Sequence, residues 1–214
     1  MARQADYPER VRLVTLGDAY TAGVGTDAPK RDSWPAQLAQ ALGRGDVRLW
    51  YMNLASGGRT SEQVLDEQLG QVVGHEPDVV TLQVGVNDIM TGDTERYRDN
   101  VSAILDELLL LLPPERIFVI TTPDHSLTEW GAVYGPREVA RAAVADLNRT
   151  LGEVADERGI GVIDIGLINE LVVGDPSLVV SAEYPLPYPT AKQYAGWVEV
   201  IGPHIHAAIF ADGP

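Results

Sequence analysis

Residues 14–26 read VTLGDAYTAGVGT and join an apolar run, a Gly-Asp turn and a segment punctuated by glycines. The run VTL is typical of a buried strand, and the turn places Asp18 directly before a short stretch with helix-forming residues. Aspartate is a favoured residue at helix N-termini, where its carboxylate accepts hydrogen bonds from backbone N–H groups, so we expect Asp18 to cap this helix. The stretch therefore predicts the strand-to-helix junction of a βα unit.

The same alternation of strand and helix continues along the chain. Apolar runs rich in β-branched residues occur at VRLVTL (11–16), VRLWYMNL (47–54), VVTLQVG (79–85), RIFVITT (116–122) and GVIDIG (161–166). Segments with helical periodicity separate these runs, a pattern that indicates a parallel sheet with helices on both faces. We predict a single α/β domain over residues 1–214, with three α/β/α layers around a flavodoxin-like, doubly wound, five-stranded parallel sheet.

The C-terminal part of the chain gives weaker signals. Residues 167–188 show no clear period and are predicted to be irregular. The segment PTAKQYAGWVEVIGPHIHAAIF (189–210) predicts a last helix. We expect an interruption at Gly202-Pro203, because proline has no amide hydrogen to donate within a helix.

The charge of the chain disfavours several classes of partner. It contains 16 Lys and Arg against 31 Asp and Glu, a formal net charge of -15. Such a surface repels phosphate backbones and anionic membranes, so we expect no nucleic-acid partner. The longest leucine run, 108–112, is too short to span a bilayer, and the N-terminus lacks an apolar secretory leader. A cytoplasmic protein is expected, and its oligomeric state is left open.

Residue types also limit the chemistry. The chain has no cysteine, which excludes disulfides and thiolate catalysis. No set of His, Asp and Glu residues has metal-ligand spacing, so neither a metal nor a cofactor is expected. The segment GDAYTAGVGT also lacks the Gly-Lys-Ser/Thr of a phosphate-binding loop.

Three polar loops follow the first three predicted strands, namely GDAYTAG (17–23), NLASGGRTS (53–61) and GVNDIM (85–90). Open α/β sheets bind ligands outside the carboxyl ends of their strands, where these loops would converge. Gly58 can offer an unobstructed backbone N–H, and Asn87 can offer a carboxamide N–H. We predict that these two groups form an oxyanion hole, although an Asn-Asp pair after a strand is also ordinary turn chemistry.

In these three loops the chain resembles the SGNH or GDSL-type ester hydrolases, most of all their bacterial esterase and lysophospholipase-like branch. The family's Gly-Asp-Ser block is similar to Gly17-Asp18-Ala19, its second block to 53–58, and its GxND block to 85–88. The resemblance implies a catalytic serine at position 19, oxyanion donors at Gly58 and Asn87, and a small-molecule ester or acyl ligand without a cofactor.

The resemblance also suggests residues that line the substrate pocket. Two of them, Asp18 and Asp88, belong to the matching blocks. The stretch TTPDHSLTEWG (121–131) resembles the family's loop after the fourth strand, and there His125, Trp130 and Tyr134 are the candidates.

The chain departs from the family at the reacting groups. Position 19 is alanine, which has no hydroxyl. The family's last block carries an Asp and, three residues later, a His before the last helix, where this chain reads SAEYPLPYPTAKQYAGW (181–197). Alignment without a gap places Pro185 and Tyr188 at these positions, and a shift of one residue places Tyr184 and Pro187 there. Neither register supplies a carboxylate or an imidazole.

Histidines elsewhere are weak substitutes for the missing base. His75 precedes the third strand, at the opposite end of the sheet, and His204 and His206 lie far along the last helix, where we expect them at the surface. His125 is the histidine expected near the carboxyl ends of the strands. Its ordinary interpretation is a loop residue at the pocket rim, and the alternative is a catalytic base.

The sequence thus predicts an ester-hydrolase scaffold that keeps its pocket and oxyanion donors but lacks the catalytic triad. Such a chain is a pseudoenzyme that binds its ligand without reaction. The alternative is a lipase-like serine esterase, acting on carboxylic esters, whose active-site residues were deliberately replaced. The sequence does not separate these two origins.

Overall fold

A computed structural model describes residues 10–43, 48–128, 135–181 and 187–210. Five parallel strands form one sheet in the order β2-β1-β3-β4-β5. The strands are β1 (Arg10–Gly17), β2 (Arg48–Asn53), β3 (Val79–Gln83), β4 (Ile117–Ile120) and β5 (Gly161–Ile163). This order is the flavodoxin-like, doubly wound arrangement, so the predicted fold is confirmed.

Helices connect these strands and cover the sheet. The first four are α1 (Ala19–Ala22), α2 (Pro29–Asp32), α3 (Trp34–Leu42) and α4 (Ser61–Gln63). The remaining ones are α5 (Leu69–Val72), α6 (Thr94–Leu109), α7 (Arg137–Asp156), α8 (Gly166–Glu170) and α9 (Ala191–Phe210). A π-helical turn, Val64–Gln68, joins α4 to α5.

Alternate residues of each strand supply two separate cores. On β1, Leu13 packs with residues of α3 and α9, whereas Val14 packs with residues of α6 and α7. Val79 and Val80 of β3 divide between the same two cores. Because side chains of a strand point alternately to opposite faces, an almost wholly apolar strand is what a sheet covered on both sides requires. Helices on both faces give the predicted three layers.

The region after β5 is more regular than predicted. Besides α8, it contains an antiparallel pair, β6 (Val179–Ser181) and β7 (Pro187–Pro189). The prediction of an interruption in the last helix was wrong, since α9 runs through Pro203. Both Pro203 and Glu199, one turn earlier, are exposed, so water can hydrate the carbonyl that proline leaves without a donor.

Within the described part of the chain, no helix combines the length and apolar character that a membrane span requires. Across the same residues, no cluster of three or more His, Cys, Asp or Glu side chains could hold a metal ion.

The end of β1 passes very close to β3. Gly17 has a φ of +149°, and a Cβ atom at this position would lie 2.1 Å from the backbone oxygen of Gln83. A side chain would therefore push the two strands apart where the polar loops begin.

We predict that Gly17→Ala lowers the free energy of unfolding by more than about 3 kcal/mol, because backbone atoms must move to admit the methyl group. The matched control is Gly70→Ala in α5, where a Cβ would meet no atom within 4 Å and alanine should be neutral or slightly stabilising. Urea unfolding measures both values. Equal stabilities of the two variants would contradict the close approach of β1 to β3.

Candidate ligand-binding site

The site is built around α1, which starts directly after β1. The Oδ1 atom of Asp18 accepts a hydrogen bond of 3.0 Å from the backbone N–H of Tyr20. Asp18 is therefore the N-cap residue of α1, as predicted. Ala19 is the first residue of this one-turn helix, with 6% of its surface exposed. The helix ends at Gly23, in the left-handed conformation.

A buried glutamine holds the turn before α1 in place. Gln68 accepts a hydrogen bond from the backbone N–H of Gly17 at 2.9 Å and donates one to its carbonyl at 2.8 Å. The π-helical turn that ends at Gln68 brings this side chain onto the end of β1. Local π-helical turns of this kind occur often at functional sites.

A second buried glutamine links the end of β3 to two helices and to the end of β4. The carboxamide oxygen of Gln83 accepts from Thr21 Oγ1 at 3.0 Å and from Trp34 Nε1 at 3.2 Å. Its Nε2 donates to the carbonyl of Thr121 at 3.2 Å. Gln83 lies at the end of β3, so its contacts join α1, α3 and the end of β4 to the middle of the sheet.

The loop after β2 is tied to α1 by Asn53. Its Nδ2 donates to the carbonyl of Thr21 at 2.7 Å, and its Oδ1 accepts from the backbone N–H of Ala55 at 3.1 Å. Further along, the N–H of Ser56 donates to the carbonyl of Gly17 at 3.2 Å. These bonds place the loop that carries Gly58 beside the Gly-Asp turn.

The two predicted oxyanion donors lie on adjoining loops. Gly58 is exposed, has a φ of +76°, and has no atom within 4 Å of the position a Cβ would take. The Nδ2 atom of Asn87 donates to the carbonyl of Arg59 at 2.9 Å, which holds the carboxamide against the residue after Gly58. A carboxamide nitrogen carries two hydrogens, so the second N–H of Asn87 is available to a ligand.

Asp88 accepts hydrogen bonds from the start of α4. It accepts hydrogen bonds from the backbone N–H of Ser61 at 3.0 Å and from Ser61 Oγ at 2.5 Å. Ser61 is the first residue of α4, which begins with a capping box of Thr60 and Gln63. Asp88 thus locks the start of α4 to the loop after β3.

The carboxyl group of Asp18 lies in an unfavourable environment for a charge. Burial raises its pKa to about 7, the negative charge of Asp88 adds to the effect, and hydrogen bonds from the Tyr20 and Gly85 amides partly offset it. Its second oxygen, Oδ2, makes no hydrogen bond. Near neutral pH this group is therefore partly protonated, directly beside Ala19.

His125 lies deeper than predicted. Only 3% of its surface is exposed, and it lines a cavity of about 20 Å³ together with Tyr20 and Gln193. The prediction of a residue at the pocket rim was therefore wrong, because a short helical turn, His125–Leu127, folds the imidazole inward. Burial lowers its pKa to about 4, although the Asp124 carboxylate acts in the opposite direction.

The segment before α9 forms a strand. Pro187 and Tyr188 lie in β7, where both are buried. The backbone of Gly25 passes so near to Tyr188 that a Cβ at Gly25 would lie 2.4 Å from the Tyr188 Cβ. Four candidate residues fall outside the described residues: Trp130, Tyr134, Tyr184 and Pro185.

The remaining histidines lie where the sequence predicted them. His75 precedes β3, at the amino ends of the strands, and His204 and His206 are exposed on α9.

Sequence reasoning missed Gln68 and Gln83. A signal existed for Gln83, the polar residue inside the apolar run VVTLQVG, whereas Gln68 is one of several glutamines in a polar helical segment.

Comparison with known proteins was made by sequence and by structure. A family model described as "GDSL-like Lipase/Acylhydrolase family" matches residues 15–196. No curated protein has a significantly similar sequence.

Several solved structures share the fold. A phospholipase A1 from Streptomyces albidoflavus is 20% identical, with a TM-score of 0.69 over 92% of this chain and 99% of that one. An extracellular lipase from Streptomyces rimosus is also 20% identical, with a TM-score of 0.64 over the same shares of the two chains. A mutant acetyl-xylooligosaccharide esterase from Geobacillus is 15% identical, with a TM-score of 0.72 over 91% and 94%. At these identities the likeness shows a common fold.

The raised pKa of Asp18 predicts a pH-dependent stability. Because the folded chain holds this proton up to a pH of about 7 and an unfolded aspartate releases it near pH 4, deprotonation favours unfolding. The free energy of unfolding should therefore fall by about 4 kcal/mol, in order of magnitude, as the pH rises from about 4 to about 7.

The matched control is Asp18→Asn, which keeps an oxygen for the Tyr20 amide but has no proton to lose. Urea unfolding at several pH values should show the wild-type chain losing stability relative to this variant as the pH rises. Parallel profiles would contradict the burial of an ionisable carboxyl at position 18.

Proposed function

Since the chain belongs to the GDSL-like lipase/acylhydrolase family, we propose that it binds small ester or acyl ligands without hydrolysing them. The proposed ligand site lies at the carboxyl ends of β1 and β3, beside Ala19, Gly58 and Asn87. This function goes beyond the family and the fold, and it rests on the chemistry of the residues at the site.

The observation that carries the proposal is Ala19 at the first position of α1. Acyl transfer by a serine hydrolase needs a hydroxyl that attacks the ester carbonyl, and the methyl group of alanine has no such electron pair. The helix that would present the nucleophile is nevertheless capped and tied to the sheet. Position 19 thus has no hydroxyl, whereas the helix α1 that would present one is held in place.

The donors for a ligand oxygen also support binding. Gly58 offers an open backbone N–H, and Asn87 is oriented by the carbonyl of Arg59. Neither arrangement depends on the side chain at position 19. A carbonyl or carboxylate oxygen between the two donors would accept a hydrogen bond from each.

The groups that could serve as a base argue against hydrolysis. Tyr188 stands at the expected histidine position in one register and Pro187 in the other, and neither side chain accepts a proton near neutral pH. His125 is a poor base because burial lowers its pKa to about 4, far from the value near 7 that suits proton transfer. A serine at position 19 would therefore lack an efficient activating group.

We predict that the chain shows no saturable hydrolysis of p-nitrophenyl butyrate. Loss of the nucleophile alone lowers the turnover of a serine hydrolase by about a millionfold, and the other triad members act as a unit with it. The release of p-nitrophenol, followed by absorbance, checks this expectation with Asn87→Ala as the matched control. A saturable turnover of about 1 per second in the wild-type chain, abolished by Asn87→Ala, would refute the proposal.

We also predict that Ala19→Ser alone does not restore activity, because no base removes the hydroxyl proton. The comparison variants combine Ala19→Ser with either Pro185→Asp and Tyr188→His or Tyr184→Asp and Pro187→His. At most one of them should recover part of the activity, since the prolines fix the backbone of this segment. Equal activity in all three variants would show that another base, such as His125, serves the site.

A further inference from the structure

A groove of about 380 Å³ lies between the edge strand β2 and the helices α1 and α2. Its walls include Ala22 of α1, Pro29 and Lys30 of α2, and Tyr51 and Met52 of β2. We propose that this groove binds a carboxylate attached to an apolar chain or ring. Asn53 and Ala55, from the loop that carries Gly58, also line the groove, whereas Gly58 and Asn87 do not, and the inference does not rest on the proposed function.

The size and walls of the groove suit the apolar part of such a molecule. Ligand sites of small molecules occupy about 300–1,000 Å³ and are mostly apolar, with few polar groups. Here Ala22, Pro29 and Met52 supply the apolar surface. The side chain of Met52 is large, yet 42% of its surface is exposed, so an apolar ligand would remove unfavourable contact with water.

The charge at the groove favours an anion. Among the described residues, Lys30 forms no ion pair, whereas its neighbour Arg31 is paired with Asp32 at 2.7 Å. The chain's other lysine, Lys192, is paired with Asp175 at 2.5 Å. An exposed ammonium without a partner, in a chain of net charge -15, is complementary to a carboxylate.

A second, independent observation concerns Ser33, another wall residue of the groove. Only 1% of Ser33 is exposed, and its hydroxyl has no hydrogen-bond partner. Ser33 precedes the nine-residue helix α3 but does not cap it with its side chain. The Ser33 hydroxyl lies beneath the surface of the groove, and the positive end of the helix dipole favours an anion there.

Tyr51, in the wall of the groove, limits which groups are available to a ligand. The hydroxyl of Tyr51 donates its proton to the carbonyl of Lys30 at 2.8 Å, which fixes the backbone of α2 over the groove. That proton is thus used within the protein. The exposed ammonium of Lys30 is therefore the group that we expect to pair with a ligand.

Octanoate is a suitable probe, with octanol as its neutral counterpart. In a titration followed by NMR, the backbone amide signals of Lys30 and Met52 should shift and saturate with octanoate. Octanol should bind at least about tenfold more weakly, since it cannot pair with the ammonium. Saturation of these signals by both compounds at equal concentrations, or by neither, would overturn the proposal.

Four variants test the assignment. Lys30→Gln should weaken octanoate binding by about tenfold, and Ala22→Leu should weaken it by filling the inner wall, with thermal unfolding used to show that each variant is folded. Lys192→Gln is the matched control and should bind like the wild-type chain. An equal loss in Lys30→Gln and Lys192→Gln would show non-specific charge attraction. A loss in Asn87→Ala but not in Lys30→Gln would place the ligand at the other pocket, and either result would overturn the proposal.

Discussion

The hydrogen bonds of the Gln83 carboxamide are the interaction on which the site depends. This one side chain accepts from Thr21 and Trp34 and donates to the carbonyl of Thr121. It therefore joins α1, α3 and the end of β4 at the centre of the sheet. Burial removes water as a competing partner, so each contact left unmade would cost about 1–3 kcal/mol. The close approach of Gly17 to the same residue requires a glycine there.

The loops of the site are held by contacts that do not involve the side chain at position 19. Gln68 bonds both backbone groups of Gly17, Asn53 bonds the carbonyl of Thr21, and Asp88 bonds Ser61. A change from serine to alanine at the start of α1 would leave all of them unaltered. These contacts therefore fix the architecture of the site independently of the side chain at position 19.

The sequence predicted the sheet because parallel strands buried on both faces appear as continuous apolar runs, as in VVTLQVG. It also predicted the helix cap of Asp18, which is a local interaction. It did not predict β7, because Pro187 and Pro189 conceal the strand in the pattern of residues. The burial of His125 and the inward direction of Gln68 depend on tertiary packing, which periodicity does not report.

We propose above all that the oxyanion donors persist at a site without a nucleophile. A crystal structure of the chain with butyrate tests it most directly. We expect one carboxylate oxygen to lie about 3 Å from both the Gly58 nitrogen and the Asn87 Nδ2 atom, beside the methyl group of Ala19. A structure in which these two donor atoms are more than about 6 Å apart would contradict the claim, because one oxygen could not reach both.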